Sequence, residues 1–318
     1  GSIPFVEYEG SAVWGGSLVE QMETGLQWLA DMYEAGYIPK DFITAGVDQV
    51  RQDASTGRIG MYFGSMSGAN NVWFNAIATQ PDAEFIAVAL PGETEEDRGQ
   101  ALYKTAPWSF YAMSSKCDSA EAFMRLLELN FWASPDNLSQ DVYNMYNGNP
   151  GEYTGWQNNL MNITAPFKNL LALERQQAAL AGDTSLLNVE NWRDYEVIQQ
   201  YFELKDRAYD TLTDEEIAAY KQGIFYYSVW GAEQCSYAAI QEMIDLDNFQ
   251  YSAYNTVATE NMNKYASTLE TLTKETIINI ILGNQSVESY EDFLDTWYAI
   301  GGQIIEDEAD AWYQANAK

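Results

Sequence analysis

The chain has 318 residues, 47 acidic against 16 basic, no histidine and a formal charge of −31. Such a surface repels phosphate backbones and anionic lipid, so nucleic acid is excluded as a partner. Without histidine there is no Ser-His-Asp or Cys-His machinery and no His-ligated zinc, so acid–base work would fall to carboxylates, tyrosines or lysines.

In chain order, residues 4–16 (PFVEYEGSAVWGG) alternate and turn at Glu9-Gly10, which predicts a hairpin. Leu18, Met22, Leu26, Leu29 and Tyr33 recur at helical spacing, and Gly36 with Pro39 stops that helix. A second helix spans about Val47 to Ala54 and closes at Gly57. RIGMYF (58–63) and EFIAVALP (84–91) then read as buried strands, with a strand-to-helix turn over 64–68 and a helix through Trp73 and Phe74.

The acid-rich stretch from Glu93 to Asp97 reads as a solvated loop, and residues 101–115 hold one or two further strands. Asp118 and Glu121 have capping-box spacing, opening a helix with Phe123, Leu126, Leu127, Asn130 and Phe131 on one face. Beyond residue 135 the pattern is almost wholly helical, with a second capping box at Thr213 and Glu216. Strands crowd the first 115 residues and helices the rest, so the fold class is α/β with a heavy helical portion.

No apolar run is long enough to span a membrane. Cys117 and Cys235 have no CxxC spacing, and their reading leans to free thiols. Asp245 and Asp247 lack the rest of a calcium loop, so no metal and no cofactor are expected. Glu306 to Asp310 reads as a solvated helix start, and Asn137, Asn162 and Asn284 head Asn-x-Ser/Thr triplets that are frequent by chance.

From Tyr265 to Tyr313 the sequence YASTLETLTKETIINIILGNQSVESYEDFLDTWYAIGGQIIEDEADAWY reads as two helices with stops at Gly283-Asn284 and Gly301-Gly302, then a segment carrying Trp312-Tyr313. Upstream, Asp183, Thr184, Ser185, Leu187, Asn188 and Glu190 follow a long helix, and YYSVWGAEQCSYAAI and YSAYNTVATENM come after them. This succession resembles the large lipoprotein, oligosaccharide-binding type of extracellular solute-binding protein, family 1, of ABC importers. The resemblance covers nearly the whole chain and is weakest over 135–160. It departs at Glu306 and Asp310, where the family has threonine and asparagine.

The resemblance implies a periplasmic-binding-protein-like type II fold, mostly the C-terminal lobe. Residues 1–99 would be its first part, 100–160 a remnant of the N-terminal lobe, and 161–318 its helical part. No signal peptide or lipid-attachment cysteine opens the sequence, which leads to the expectation that the natural N-terminus and most of the N-terminal lobe are missing from this chain, whether cleaved, deleted or carried on another chain. The implied function is capture of a sugar or oligosaccharide for import, without catalysis. Permease subunits would be its partners, and a lipid anchor outside this chain would hold it at the bacterial cell surface. The alternatives are a carbohydrate-active enzyme with a carboxylate pair, or a binder of peptide or cationic ligand on the same fold.

Ten tryptophans and 22 tyrosines offer flat faces for sugar C–H patches. The turn supplies Ser65, Ser67, Asn70 and Asn71, with Trp73 either on the ligand side or buried. Trp108, after Pro107, is placed by the resemblance at the crossover between lobes, and Tyr227 and Trp230 at a cleft-facing junction. For each the competing reading is core packing. Trp14, beside Gly15-Gly16, is left between core packing, the favoured reading, and an exposed place near the hinge.

Overall fold

The computed structural model describes residues 3–66, 72–73, 75–76, 80, 83–92, 99–103, 111–147, 161, 163–165 and 167–316. It is mostly helical with a few short strands, a mixed α/β-like fold. Two compact units are present: Gly1–Ala45 with Gln100–Trp108 and Phe249–Lys318, and Gly46–Gly99 with Ser109–Asn248.

In the first unit, β1 (Phe5–Tyr8) and β2 (Ser11–Trp14) form the expected antiparallel hairpin, Phe5 opposite Trp14 and Tyr8 opposite Ser11. Glu9 and Gly10 both take positive φ, 51° and 84°, the twist a two-residue hairpin turn requires. A second pair, β3 (Ala101–Tyr103) and β4 (Phe249–Tyr251), is parallel. Around the hairpin pack α1 (Val19–Glu34), α9 (Glu260–Ile281), α10 (Ser289–Trp297) and α11 (Gln303–Asn316). Their core includes Phe5, Leu26, Leu269, Ile280, Tyr290, Phe293 and Ile305.

One open reading is decided here and one expectation is corrected. Trp14 is only 5% exposed, because its indole stacks on Trp297 with centroids 4.0 Å apart and planes within 8°. The Glu306 and Asp310 side chains are half-buried and hydrogen-bonded rather than freely solvated. Asp310 Oδ1 accepts from the Ala12 N–H and Glu306 Oε2 from the Trp14 N–H, each at 2.8 Å. Carboxylates one helical turn apart match the roughly 7 Å between alternate N–H groups of a strand edge, so α11 caps the outer edge of β2. Burial raises the Glu306 pKa above the usual carboxylate value. The expected stop at Gly301-Gly302 is present as a break in the helical backbone between α10 and α11. A π-helical turn, Tyr298–Gly302, joins α10 to α11, with Gly301 at φ 147°.

In the second unit, α2 (Val47–Ser55) ends at Gly57 as read from sequence. The strands expected over 58–63 and 84–91 are absent: both segments are irregular. Residues 83–90 keep the two-residue alternation, with Phe85, Ala87 and Ala89 more sheltered while Ile86 and Val88 are 59% and 63% exposed. A strand needs a ladder, and among the described residues neither segment has a neighbouring strand to supply one. The Ala87 N–H donates to the Gln234 carbonyl instead, at 3.0 Å. Residues 104–110 and 93–98, where further strand and loop were expected, lie outside the described residues.

The helices of this unit are α3 (Ala120–Trp132), α4 (Gln140–Asn147), α5 (Lys168–Leu180), α6 (Val189–Leu204), α7 (Asp214–Tyr226) and α8 (Ser236–Asp245). The box expected at Asp118 is not formed. Ser119 takes the N-cap position, and Glu121 pairs instead with Arg125 at 2.6 Å. On the expected apolar face of α3, Phe123, Leu127 and Asn130 are half-buried, whereas Leu126 and Phe131 are exposed. Cys117 is exposed and Cys235 buried, both as free thiols.

The box at Thr213 forms reciprocally. Thr213 Oγ1 accepts from the Glu216 N–H at 3.2 Å, and Glu216 Oε2 accepts from the Thr213 N–H at 2.9 Å. Thr213→Ala is expected to lower stability by about 1 kcal/mol in urea unfolding, with Thr213→Ser close to wild type. Equal midpoints for Thr213→Ala and wild type would show that the cap contributes nothing.

Candidate functional site

α6 and α7 pack so closely at Gly223 that a Cβ there would stand 2.4 Å from the Val197 carbonyl oxygen. After Tyr226 the helix widens into a π-helical turn, Tyr227–Gly231. Such bulges redirect side chains and recur at functional sites. Here Tyr227 reaches the Tyr201 cluster and Trp230 the Tyr237 cluster, while both also pack on Val197, Ile198 and Tyr226.

Tyr227 is half-buried, its ring 5.7 Å from Tyr201 and 5.2 Å from Phe202. Trp73 packs on the same cluster of Tyr201, Leu212, Tyr220 and Ile224, with its ring 5.9 Å from Phe85. Trp230 is near-parallel to two rings, 5.6 Å from Tyr226 and 6.1 Å from Tyr237, at 16° and 18°. Among the described residues its buried Nε1 has no hydrogen-bond partner.

Ser65 is exposed, in the turn before Met66. The Tyr237 hydroxyl donates to Met66 Sδ at 2.6 Å and accepts from Asn169 Nδ2 at 2.5 Å. The turn bearing Ser65 is thereby tied through Tyr237 to Trp230. Ser67, Asn70, Asn71 and Trp108 lie outside the described residues.

Beside the aromatic rings, α6 carries a polar cluster that is exposed at Asp136 and buried at Gln176, Asn191, Arg193 and Asp194. Asn188 caps the helix by accepting from the Asn191 N–H at 2.9 Å, and its amide donates to Asp136 at 2.8 Å. Arg175 Nη1 donates to Asn191 Oδ1 at 3.1 Å, Gln176 Nε2 to the Asn191 carbonyl at 2.7 Å, and Lys168 Nζ to Glu190 Oε1 at 2.7 Å. Asp194 is 3% exposed. Burial, then the neighbouring Glu190 charge, push its carboxyl up to about 7. Burial is also the main cause of the raised Tyr226 and Tyr143 phenols.

Sequence reasoning passed over Asn169, Tyr226, Tyr237, Arg193 and Asp194. For Asp194 a signal existed: Asp194, Val197, Ile198 and Tyr201 fall on one helical stripe and are all buried, so a carboxylate sits where a hydrophobe belongs. For Asn169 and Tyr237 there was none, because their partners are far away in sequence.

Two open grooves lie elsewhere. One of about 510 Å³, in the first unit, is lined by Trp14, Phe42, Ile43, Leu269, Ile277 and Trp297 among others. One of about 520 Å³, in the second, lies between α5 and α8 and includes Gln177, Gln241 and Asp245. Neither is lined by a residue singled out from sequence as ligand-binding. Of the Glu190–Asp194 pair, Asp194 is buried and Glu190 half-buried, and neither lines a groove. Among the described residues no three or more Asp, Glu, His or Cys side chains gather as a metal site, and no helix is long and apolar enough to cross a membrane. The chain matches no protein-family model, no curated protein and no solved structure.

Proposed function

We propose that the protein is the extracellular solute-binding component of an ABC importer. On this reading it has a periplasmic-binding-protein-like type II fold, captures a sugar or oligosaccharide and delivers it to permease subunits. A lipid anchor outside this chain would hold it at the bacterial surface. The reading is carried by the sequence resemblance, and it points to half-buried Trp230, set beside the buried rings of Tyr226 and Tyr237 and joined through Tyr237, Met66 and Asn169 to the turn bearing Ser65. Flat rings beside amide and hydroxyl groups are what neutral sugars use: C–H faces stack and hydroxyls hydrogen-bond.

The test is calorimetric titration with a panel of neutral oligosaccharides, alongside short peptides and amines. At least one oligosaccharide is expected to bind saturably. Trp230→Ala is expected to weaken that binding about tenfold or more, the loss of one aromatic stacking face, and Trp230→Phe less. Binding of peptides or amines alone, or an unchanged affinity in Trp230→Ala, would sink the proposal.

A further inference from the structure

Asp194 has a place in the fold that sugar binding does not explain. Its carboxyl is sealed on the apolar stripe of α6, and among the described residues Oδ1 has no hydrogen-bond partner. The groups around it come from four helices. α6 itself contributes Glu190, Arg193 and Asn191, the last hydrogen-bonded to the carboxyl. α5 brings Lys168, which holds Glu190, and Arg175, which holds Asn191. α4 brings Tyr143, whose ring lies 5.8 Å from the Arg193 guanidinium. α7 ends on Tyr226, which is hydrogen-bonded to Arg193 and stacked on Trp230.

Arg193 is therefore shared. It is drawn to the Asp194 carboxyl and bonded to the Tyr226 hydroxyl, while among the described residues its buried Nε has no hydrogen-bond partner. We propose that Asp194 is a proton-operated positioning residue for the Tyr226–Trp230 stack. Neutral, it leaves the guanidinium to Tyr226 and the stack is held. Ionised, it draws Arg193 toward itself and the stack loosens, the proton leaving to bulk water. Glu190 stays paired with Lys168 throughout, so the switch resides in one carboxyl. For its effect on ligand the inference rests on the reading of Trp230 as a sugar face, and such a ligand is then held more tightly below neutral pH.

Near-UV circular dichroism of the whole chain tests the coupling without any ligand. The readout is the difference between wild type and Trp230→Phe, followed from about pH 5.5 to about pH 8.5. A one-proton transition centred at about 7 is expected in the difference spectrum. Asp194→Asn should leave the Trp230 band unchanged with pH. Tyr226→Phe, which removes the hydroxyl but keeps the ring, should also uncouple the band from pH. A flat wild-type difference spectrum, or a transition that persists in Asp194→Asn, overturns the inference. If Asp194→Asn fails to fold, the wild-type titration and Tyr226→Phe decide it, and a transition persisting in Tyr226→Phe then overturns the route through Arg193. The oligosaccharide titrations stand apart: a panel that binds nothing defeats the transport reading and leaves the spectral transition to decide the switch.

Discussion

Replacing Gly302 with alanine is expected to destabilise the fold by about 3 kcal/mol, the upper end for overpacking a filled core. A Cβ at Gly302 would stand 2.0 Å from the Trp297 ring, far inside contact distance. The ring cannot retreat, because Trp297 is stacked on Trp14 at 4.0 Å. Trp14 is blocked in turn: a Cβ at Gly16 would stand 2.3 Å from its ring. Two indoles are thus confined between two glycines, one after the hairpin and one in the π-helical turn. Gly16→Ala should behave like Gly302→Ala. Gly25→Ala is the control, since Gly25 is exposed inside α1 with nothing within 4 Å of the added carbon. There the gain in helix propensity should raise stability by up to about 1 kcal/mol. Urea unfolding at one pH measures all three, and a Gly302→Ala midpoint equal to wild type would mean the indoles repack freely.

The second large effect is a pH dependence of stability that belongs to Asp194. Its folded-state pKa is raised from 3.8 to about 7, so between those values the folded chain binds more protons than the unfolded chain. Stability is therefore fully present below about pH 4, falls as pH rises toward 7, and is flat above it. The three-unit shift corresponds to roughly 4 kcal/mol, read as an order of magnitude. Asp194→Asn removes the titration, so the wild-type curve should fall relative to the variant's across that window. At about pH 8 the variant should be the more stable by several kcal/mol. The difference between the two curves is the quantity to read, because a chain of charge −31 carries its own pH-dependent repulsion. Parallel curves would show that the carboxyl is solvated after all.

How much of this was legible beforehand differs from element to element. The Glu9-Gly10 hairpin, the first helix and the Thr213 box depend on neighbours within a few residues, and all three stand where the pattern placed them. The box at Asp118 has the same spacing as the one at Thr213 and did not form. Ser119, one residue on, takes the N-cap position without a side-chain cap bond, and Glu121 had Arg125 within reach on the exposed face. Spacing nominates a cap, and the backbone geometry of the first turn chooses it.

The strands were misread for a different reason. RIGMYF and EFIAVALP have β-rich composition, but composition describes only one side of a ladder. Of the candidate ligand residues, Trp73, Tyr227 and Trp230 were recognisable as aromatics worth placing. That Tyr227 joins a cluster with Tyr201 and Phe202, while Trp230 meets Tyr226 and Tyr237, depends on the extra residue of a π-helical turn that no local pattern marks.

The sequence alone determined most of the helical succession described after residue 167, the Glu9-Gly10 turn, the Thr213 cap and a strongly acidic composition. Those follow from contacts between residues close in the chain and from composition. Tertiary structure alone decided that Trp14 is core, that Glu306 and Asp310 close a strand edge about 300 residues away, and that Asp194 loses its water. Burial and long-range hydrogen bonding depend on which surfaces meet, and chain neighbours carry no record of that.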